Sequence, residues 1–154
     1  MNEWITDLLA LQDLDMKIRN LKLRFDTIPA EKKRLNSLVK DAMDDVEVAK
    51  DGLRRIERNI KDQEGEAEKL NEASRKLLTQ SAMVKKNNEY QAMMADIEAK
   101  KKAISDIETK ILELLDQAED QQKNVAAAEK ELAVTQKTVK AEMADLVELK
   151  QELE

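Results

Sequence analysis

The chain has no cysteine and no histidine, which removes thiol nucleophiles, disulfides, most metal ligands and the usual neutral-pH acid–base group. Without cysteine the redox compartment leaves no trace in the sequence. Glycine occurs twice and proline once in 154 residues, so a helix once begun meets few residues that would stop it. Aromatics make up 2% of the chain, too little for the core of an ordinary globular domain. Long apolar runs are also missing: Leu8–Leu11 is far short of a membrane span. The opening Met1-Asn2-Glu3-Trp4 lacks the basic-then-apolar layout of a signal peptide, and the expectation is a cytoplasmic chain with no membrane contact.

What is present is charge and periodicity. Charged residues reach 39%, and alanine, glutamate, lysine and leucine dominate, the composition of long helices and coiled coils. An apolar seam starts at Trp4, and its spacing alternates between three and four. One row is Trp4, Leu11, Ile18, Phe25, Val39, Val46, Leu53, Ile60 and Ala67. The other is Leu14, Leu21, Ile28, Leu35, Ala42, Ala49, Ile56, Leu70 and Leu77. A second seam in a different phase runs from Tyr90 through Ile97, Ile104, Ile111, Ala118, Val125, Leu132, Val139 and Leu146 to Leu153. Such a narrow stripe belongs to a coiled coil rather than to the broad face of a globular helix. The phase breaks between residues 78 and 88, roughly mid-chain.

These features predict an all-α fold, a long antiparallel two-helix coiled-coil hairpin on the order of 100 Å long. Its parts are an N-terminal helix over 1–28, an ascending arm over 29–79, an apex turn over 80–88 and a returning arm over 88–154. Pro29 should kink or briefly break the first arm, because an interior proline removes a hydrogen bond and crowds the preceding turn. Asn88, with Gln91 three residues on, reads as the N-cap of the second helix. Placing the apex between Met83 and Val84 sets Leu35 against Leu132, Ala49 against Ala118, Leu77 against Tyr90 and Leu14 against Leu153. Val46/Gln121, Lys32/Thr135 and Phe25/Glu142 are poorly matched layers in that alignment. Residues 1–13 then have no partner on the returning arm, and Trp4, Leu8 and Leu11 are candidates for partner binding or self-association. Glu152-Leu153-Glu154 stops in mid-heptad without a Gly or Asn cap, which reads as a helix expected to continue.

The charge is unevenly placed. From Arg75 to Lys102 there are seven cations (Arg75, Lys76, Lys85, Lys86, Lys100, Lys101, Lys102) and three anions (Glu89, Asp96, Glu98). The resulting local +4 leaves −10 for the rest of a chain whose net charge is −6. A basic apex on an acidic shaft concerns partners more than fold. Arg75, Lys76, Lys85, Lys86, Asn87, Asn88, Tyr90 and Lys101 are therefore the candidate partner-binding residues, suited to a protein surface or to RNA phosphates. Simpler readings stand beside these: a solvated lysine-rich turn, Asn87 and Asn88 as turn and cap residues, and Tyr90 as a core plug facing Leu77. Met83, Met93 and Met94 suit packing and an adaptable binding surface equally. The acid pairs Asp44-Asp45 and Glu119-Asp120 sit on exposed helix faces with no cleft to desolvate them. No phosphate loop, nucleophile–base pair or metal-ligand spacing is present, so neither an enzyme nor a small-molecule substrate is expected, and no cofactor within this chain.

The segment Val84-Lys85-Lys86-Asn87-Asn88-Glu89-Tyr90-Gln91-Ala92-Met93, followed by Asp96-Ile97-Glu98, resembles the signature of bacterial coiled-coil-hairpin proteins that carry a C-terminal C4-type zinc ribbon. Leu8-Leu9-Ala10-Leu11-Gln12-Asp13-Leu14-Asp15, the Ile28-Pro29 step and Ile104-Ser105-Asp106-Ile107-Glu108 are similar to that family as well. The resemblance implies a bacterial cytoplasmic regulatory adaptor. Its members are linked to flagellar and type III secretion gene control through an alternative sigma factor, and in one branch to messenger RNA. It also implies a zinc ribbon, expected after residue 154, since the four cysteines such a ribbon needs do not occur here. Lys86 precedes the Asn pair and no lysine follows it, a departure from the family pattern. The competing expectation is a structural coiled coil that assembles as an extended dimer or oligomer. A third is an accessory arm of the RNA-gripping kind found on some synthetases.

Overall fold

The computed structural model describes residues 2–153, and Met1 and Glu154, including the last residue of the expected uncapped end, lie outside the described residues. Two helices, α1 (Glu3–Ser81) and α2 (Asn87–Leu153), pack against each other as an all-α hairpin, with no strand among the described residues. Among them no helix is long and apolar enough to cross a membrane.

Local chemistry sets the helix ends. The Asn2 carbonyl accepts the Ile5 N–H at 3.1 Å, and Glu3 places a negative charge in the first turn, where the helix dipole favours it. α1 closes with tight turns, Met83 N–H to the Gln80 carbonyl (3.0 Å) and Val84 N–H to the Ser81 carbonyl (3.4 Å). The first bond of α2 runs from Tyr90 N–H to the Lys86 carbonyl at 3.1 Å. Lys86 is thus the N-cap, and Asn88, expected in that role, lies inside the first turn. The turn spans residues 82–86, shorter than the expected 80–88.

Of the kink or brief break expected near Pro29, the break does not occur, and α1 is one helix through it. Ile28 (4% exposed) and Leu35 (0%) hold the chain in the core on either side, so packing overrides the local preference. Within the disturbed turn, the Thr27 hydroxyl donates to the Arg24 carbonyl at 2.7 Å.

Each of two compact units consists of facing stretches of both helices. Unit 1 comprises Met1–Val46 with Ala128–Glu154, and unit 2 comprises Glu47–Ala127. In unit 1, Ile28, Leu35, Ala42, Val46 and Val139 are buried; in unit 2, Ile97, Leu114 and Ala118 are. From Ile28 to Leu77 and from Met93 to Leu153, every position on the two heptad rows is buried or half-buried. The same rows enclose Ser74 and Ser81, which continue the Val46–Ala67 row at heptad spacing and are buried despite their hydroxyls. Ser81 Oγ satisfies itself by donating to the Leu78 carbonyl at 2.7 Å.

The alignment of the arms differs from the expected one by a heptad. In unit 2 the Gln121 side chain lies against Gly52 and donates to the Ala49 carbonyl at 2.8 Å, instead of facing Val46. In unit 1 Arg34 pairs with Glu142 at 3.6 Å, and Leu153 borders the same groove as Ile18 and Leu21, not Leu14. Seven residues is about 10 Å of helix, too far for these contacts to form in the expected alignment. Leu35 therefore shares its level with Val139 instead of Leu132. The shift also removes mismatches: Lys32 comes level with Glu142, Phe25 with Leu149, and Val46 with Ala128, while Ala42 comes level with Leu132. Alternation of large and small residues suits close-packed facing layers.

Candidate functional site

The heptad shift changes the apex most. With Leu77 level with Ile97, the first turn of α2 stands beyond the end of α1. Tyr90, expected as a core plug, is 43% exposed, and all residues from Lys85 to Ala92 are exposed. Met83 caps the turn at 79% exposure, while Val84 tucks in and is half-buried. The tip is thus a protruding turn bearing two lysines, two asparagines, a tyrosine and a methionine.

The candidate residues fall into two tiers. Lys85, Lys86, Asn87, Asn88 and Tyr90 share the tip. Lys101 lies fourteen residues along α2 from Asn87, about 21 Å down the helix, close to the level of Arg75 and Lys76. All eight are exposed. Thr79 Oγ1 donates to the Arg75 carbonyl at 3.0 Å, a back-bond that helps hold the end of α1. Lys100 sits on the seam with its stem covered and its ammonium turned out to Asp96, 3.0 Å away. That leaves Lys101 and Lys102 on the outer face, where they border a shallow groove with Ala95, Glu98, Ala99 and Ser105. Met93 is half-buried on the seam and Met94 lies on the surface, so of the three apical methionines only Met93 packs inside.

The N-terminal candidates are in unit 1. Trp4 is 64% exposed, Leu11 58% and Leu14 54%, and Leu8 and Ile18 are exposed with them. Leu14 was expected against Leu153, but after the heptad shift Leu153 borders Ile18 and Leu21 instead. The expectation that Trp4, Leu8 and Leu11 have no partner within the chain agrees with their exposure.

Among the described residues, the ionisation shifts belong to ion pairs on the helix surfaces. The Glu31 carboxyl is held below the usual carboxylate range, first by the hydrogen bond from Arg34 (Nε to Oε1, 3.0 Å). Arg34 is raised by the same bond, and Arg54 by its bonds to Glu47 (3.2 Å) and Asp51 (2.6 Å). None lies near the tip or in an enclosed cleft, so these shifts reflect ion pairing on a solvated surface. The acid pairs Asp44-Asp45 and Glu119-Asp120 are exposed. Among the described residues no group of three or more carboxylates is placed to hold a metal ion.

Sequence reading missed the two buried serines and the freedom of Tyr90. The serines were visible as a continuation of the Val46–Ala67 row; the position of Tyr90 depends on a heptad slip that periodicity does not register. Compared with known proteins, the chain matches no family model, no curated protein and no solved structure at a significant level.

Proposed function

We propose that this protein is a non-enzymatic helical-hairpin adaptor that docks a partner with its protruding tip. The observation that supports this most is that every residue from 85 to 92 is exposed, with Tyr90 at 43% and Met83, in the turn, at 79%. An exposed aromatic and a flexible thioether within eight residues of chain that also carry Lys85 and Lys86 suit docking of a protein partner with acidic groups. The resemblance around Val84–Met93 supports a bacterial cytoplasmic regulatory role, with an alternative sigma factor as the first partner to test. A second reading, RNA binding, is supported by the local excess of cations, which favours a phosphate backbone through counterion release.

Binding of the sigma factor and of a single-stranded RNA oligomer to the whole chain should be measured by titration at several salt concentrations. Tyr90→Ala and Met83→Ala should weaken a protein partner by tenfold or more, while Lys85→Glu with Lys86→Glu abolishes RNA binding. Unchanged binding of both ligands by all these variants removes the tip from the function.

A further inference from the structure

Charge in unit 1 is sorted between the two sides of the seam. In right-handed helices that run in opposite directions, the residue just after each seam position turns to the same side on both arms, and the residue just before it to the other. From Ile28 to Val39 and from Leu132 to Leu149, each seam position is followed by a lysine or an uncharged residue. Those lysines are Lys33, Lys40, Lys140 and Lys150, and all four are exposed. The charged residues that precede the same positions are Glu31, Glu131, Asp145 and Glu148, with Arg34 as the one cation. Two shallow grooves agree with this division. Pro29, Lys32, Lys33, Asn36, Ser37 and Lys40 line one. Glu31, Arg34, Glu142 and Asp145, drawn from both arms, line the other. Arg34 is engaged with Glu31 and Glu142. Among the described residues, no ion pair engages Lys33, Lys40, Lys140 or Lys150.

We propose that the lysine side of unit 1 seats the phosphate backbone of a nucleic-acid duplex. Lys150 is level with Arg24, sixteen residues before Lys40, so the four lysines span about 24 Å of rod. Over that length a duplex presents roughly fourteen phosphates. Exposed ammonium groups without partners gain affinity there by releasing the counterions of the duplex. Asn36 and Ser37, exposed between Lys33 and Lys40, add neutral donors of the kind that phosphate oxygens accept. Glu31, Glu131, Asp145 and Glu148 turn to the other side, so the chain's net charge of −6 does not meet the duplex at the contact. A single strand fits less well, because its charge is sparser and this side carries none of the chain's three aromatics for bases to stack on. The surface belongs to unit 1, the tip to unit 2, and neither role depends on the other.

The test titrates the whole chain with a short DNA duplex and with an RNA duplex of equal length, at several salt concentrations. One or both should bind, the tighter naming the source, with a slope of log affinity against log salt of about −3 to −4, as four phosphate contacts require. Lys33→Glu with Lys140→Glu, one lysine from each arm, should weaken duplex binding by about tenfold or more and flatten the slope. Lys61→Glu with Lys110→Glu changes the net charge equally on exposed positions of unit 2 and should leave duplex affinity within about twofold. Far-UV circular dichroism confirms that both variants keep the hairpin. Lys33→Gln with Lys140→Gln, a milder change, should give an intermediate loss and carries the test if the charge reversal disturbs folding. No duplex binding at low salt, an equal loss in the Lys61 and Lys110 variant, or competition by polyglutamate as effective as by unlabelled duplex would each overturn the proposal. So would tighter binding of a single RNA strand through the same lysines.

Discussion

Gln121 and Gly52 meet across the hairpin: a Cβ on Gly52 would lie 2.8 Å from Gln121 Nε2, the atom that donates to the Ala49 carbonyl. Gly52→Ala gains the roughly 1 kcal/mol by which alanine exceeds glycine inside a helix. It also displaces the Gln121 amide and forfeits a hydrogen bond worth about 0.5–1.5 kcal/mol. The two nearly cancel, so Gly52→Ala should leave stability unchanged to within about 1 kcal/mol. In a Gln121→Ala background the same change should stabilise by about 1 kcal/mol. Gly65, whose added Cβ meets nothing within 4 Å, should show that gain without any second change. Urea denaturation of the four variants in a double-mutant cycle measures the coupling, and additive Gly52 and Gln121 effects would sink the contact.

The same contact decides the alignment of the arms. Gly52→Cys with Gln121→Cys should oxidise to an intramolecular disulfide, because their side chains share one level in unit 2. Val46→Cys with Gln121→Cys, the pair expected from the sequence, should not, since a heptad separates those levels by about 10 Å. Mobility on non-reducing gels reads the result directly in a chain with no native cysteine. Preferential closure of the Val46 pair would restore the expected alignment.

Periodicity made the two arms and their buried faces legible, down to which side of each turn points inward. It did not reveal which heptad faces which, and the reason is physical. Sliding one arm by seven residues returns apolar positions to apolar positions, so both alignments satisfy the hydrophobic pattern almost equally. The choice rests on finer matters: Ala42 level with Leu132, Lys32 near Glu142, and the space that Gly52 leaves for Gln121. At Pro29, where a kink or a brief break was expected, the helix does not break, and Ile28 and Leu35 are buried on either side of it. At the tip, the lysines were visible in the sequence, but the freedom of Tyr90 follows from the slip.

Burial and exposure along one heptad row give a second, independent check. Leu35 is wholly enclosed, and Leu35→Ala should cost roughly 2–5 kcal/mol, toward the lower end because a gap between two helices opens readily to water. Leu14, three heptads earlier on that row, is more than half exposed, and Leu14→Ala should stay within about 0.5 kcal/mol in dilute solution. Thermal denaturation of both at low protein concentration distinguishes them. Equal losses would mean that the returning arm covers Leu14 after all.

Arg34 links Glu31 on its own helix to Glu142 on the other. The Glu31 carboxyl is below its ordinary pKa in the folded chain, so its contribution to stability is present at neutral pH. That contribution disappears as acid takes the pH down through the lowered value. The group is exposed, which keeps the effect small and sensitive to salt. Carboxyl NMR titration should place the Glu31 midpoint below the usual glutamate range, and Arg34→Gln should return it upward. A midpoint indifferent to Arg34→Gln would show that the ion pair does not persist in solution.

Pro29 offers the largest expected gain in stability from a single substitution. It lies inside a continuous helix, on the exposed side of the turn that buries Ile28. Its ring lacks the N–H that would bond the Phe25 carbonyl and crowds that same turn, a burden of about 3 kcal/mol in a helix interior. Pro29→Ala supplies the N–H and adds the best helix former without removing any buried apolar surface. It should stabilise the chain by about 1–3 kcal/mol, the lower figure applying if the helix already relaxes around the ring. Hydrogen exchange of the amides from Arg24 to Lys33 should slow along with the rise in melting temperature. Loss of stability in Pro29→Ala would mean that the proline ring serves a purpose beyond tolerance, and that the helix through residue 29 is shaped by it.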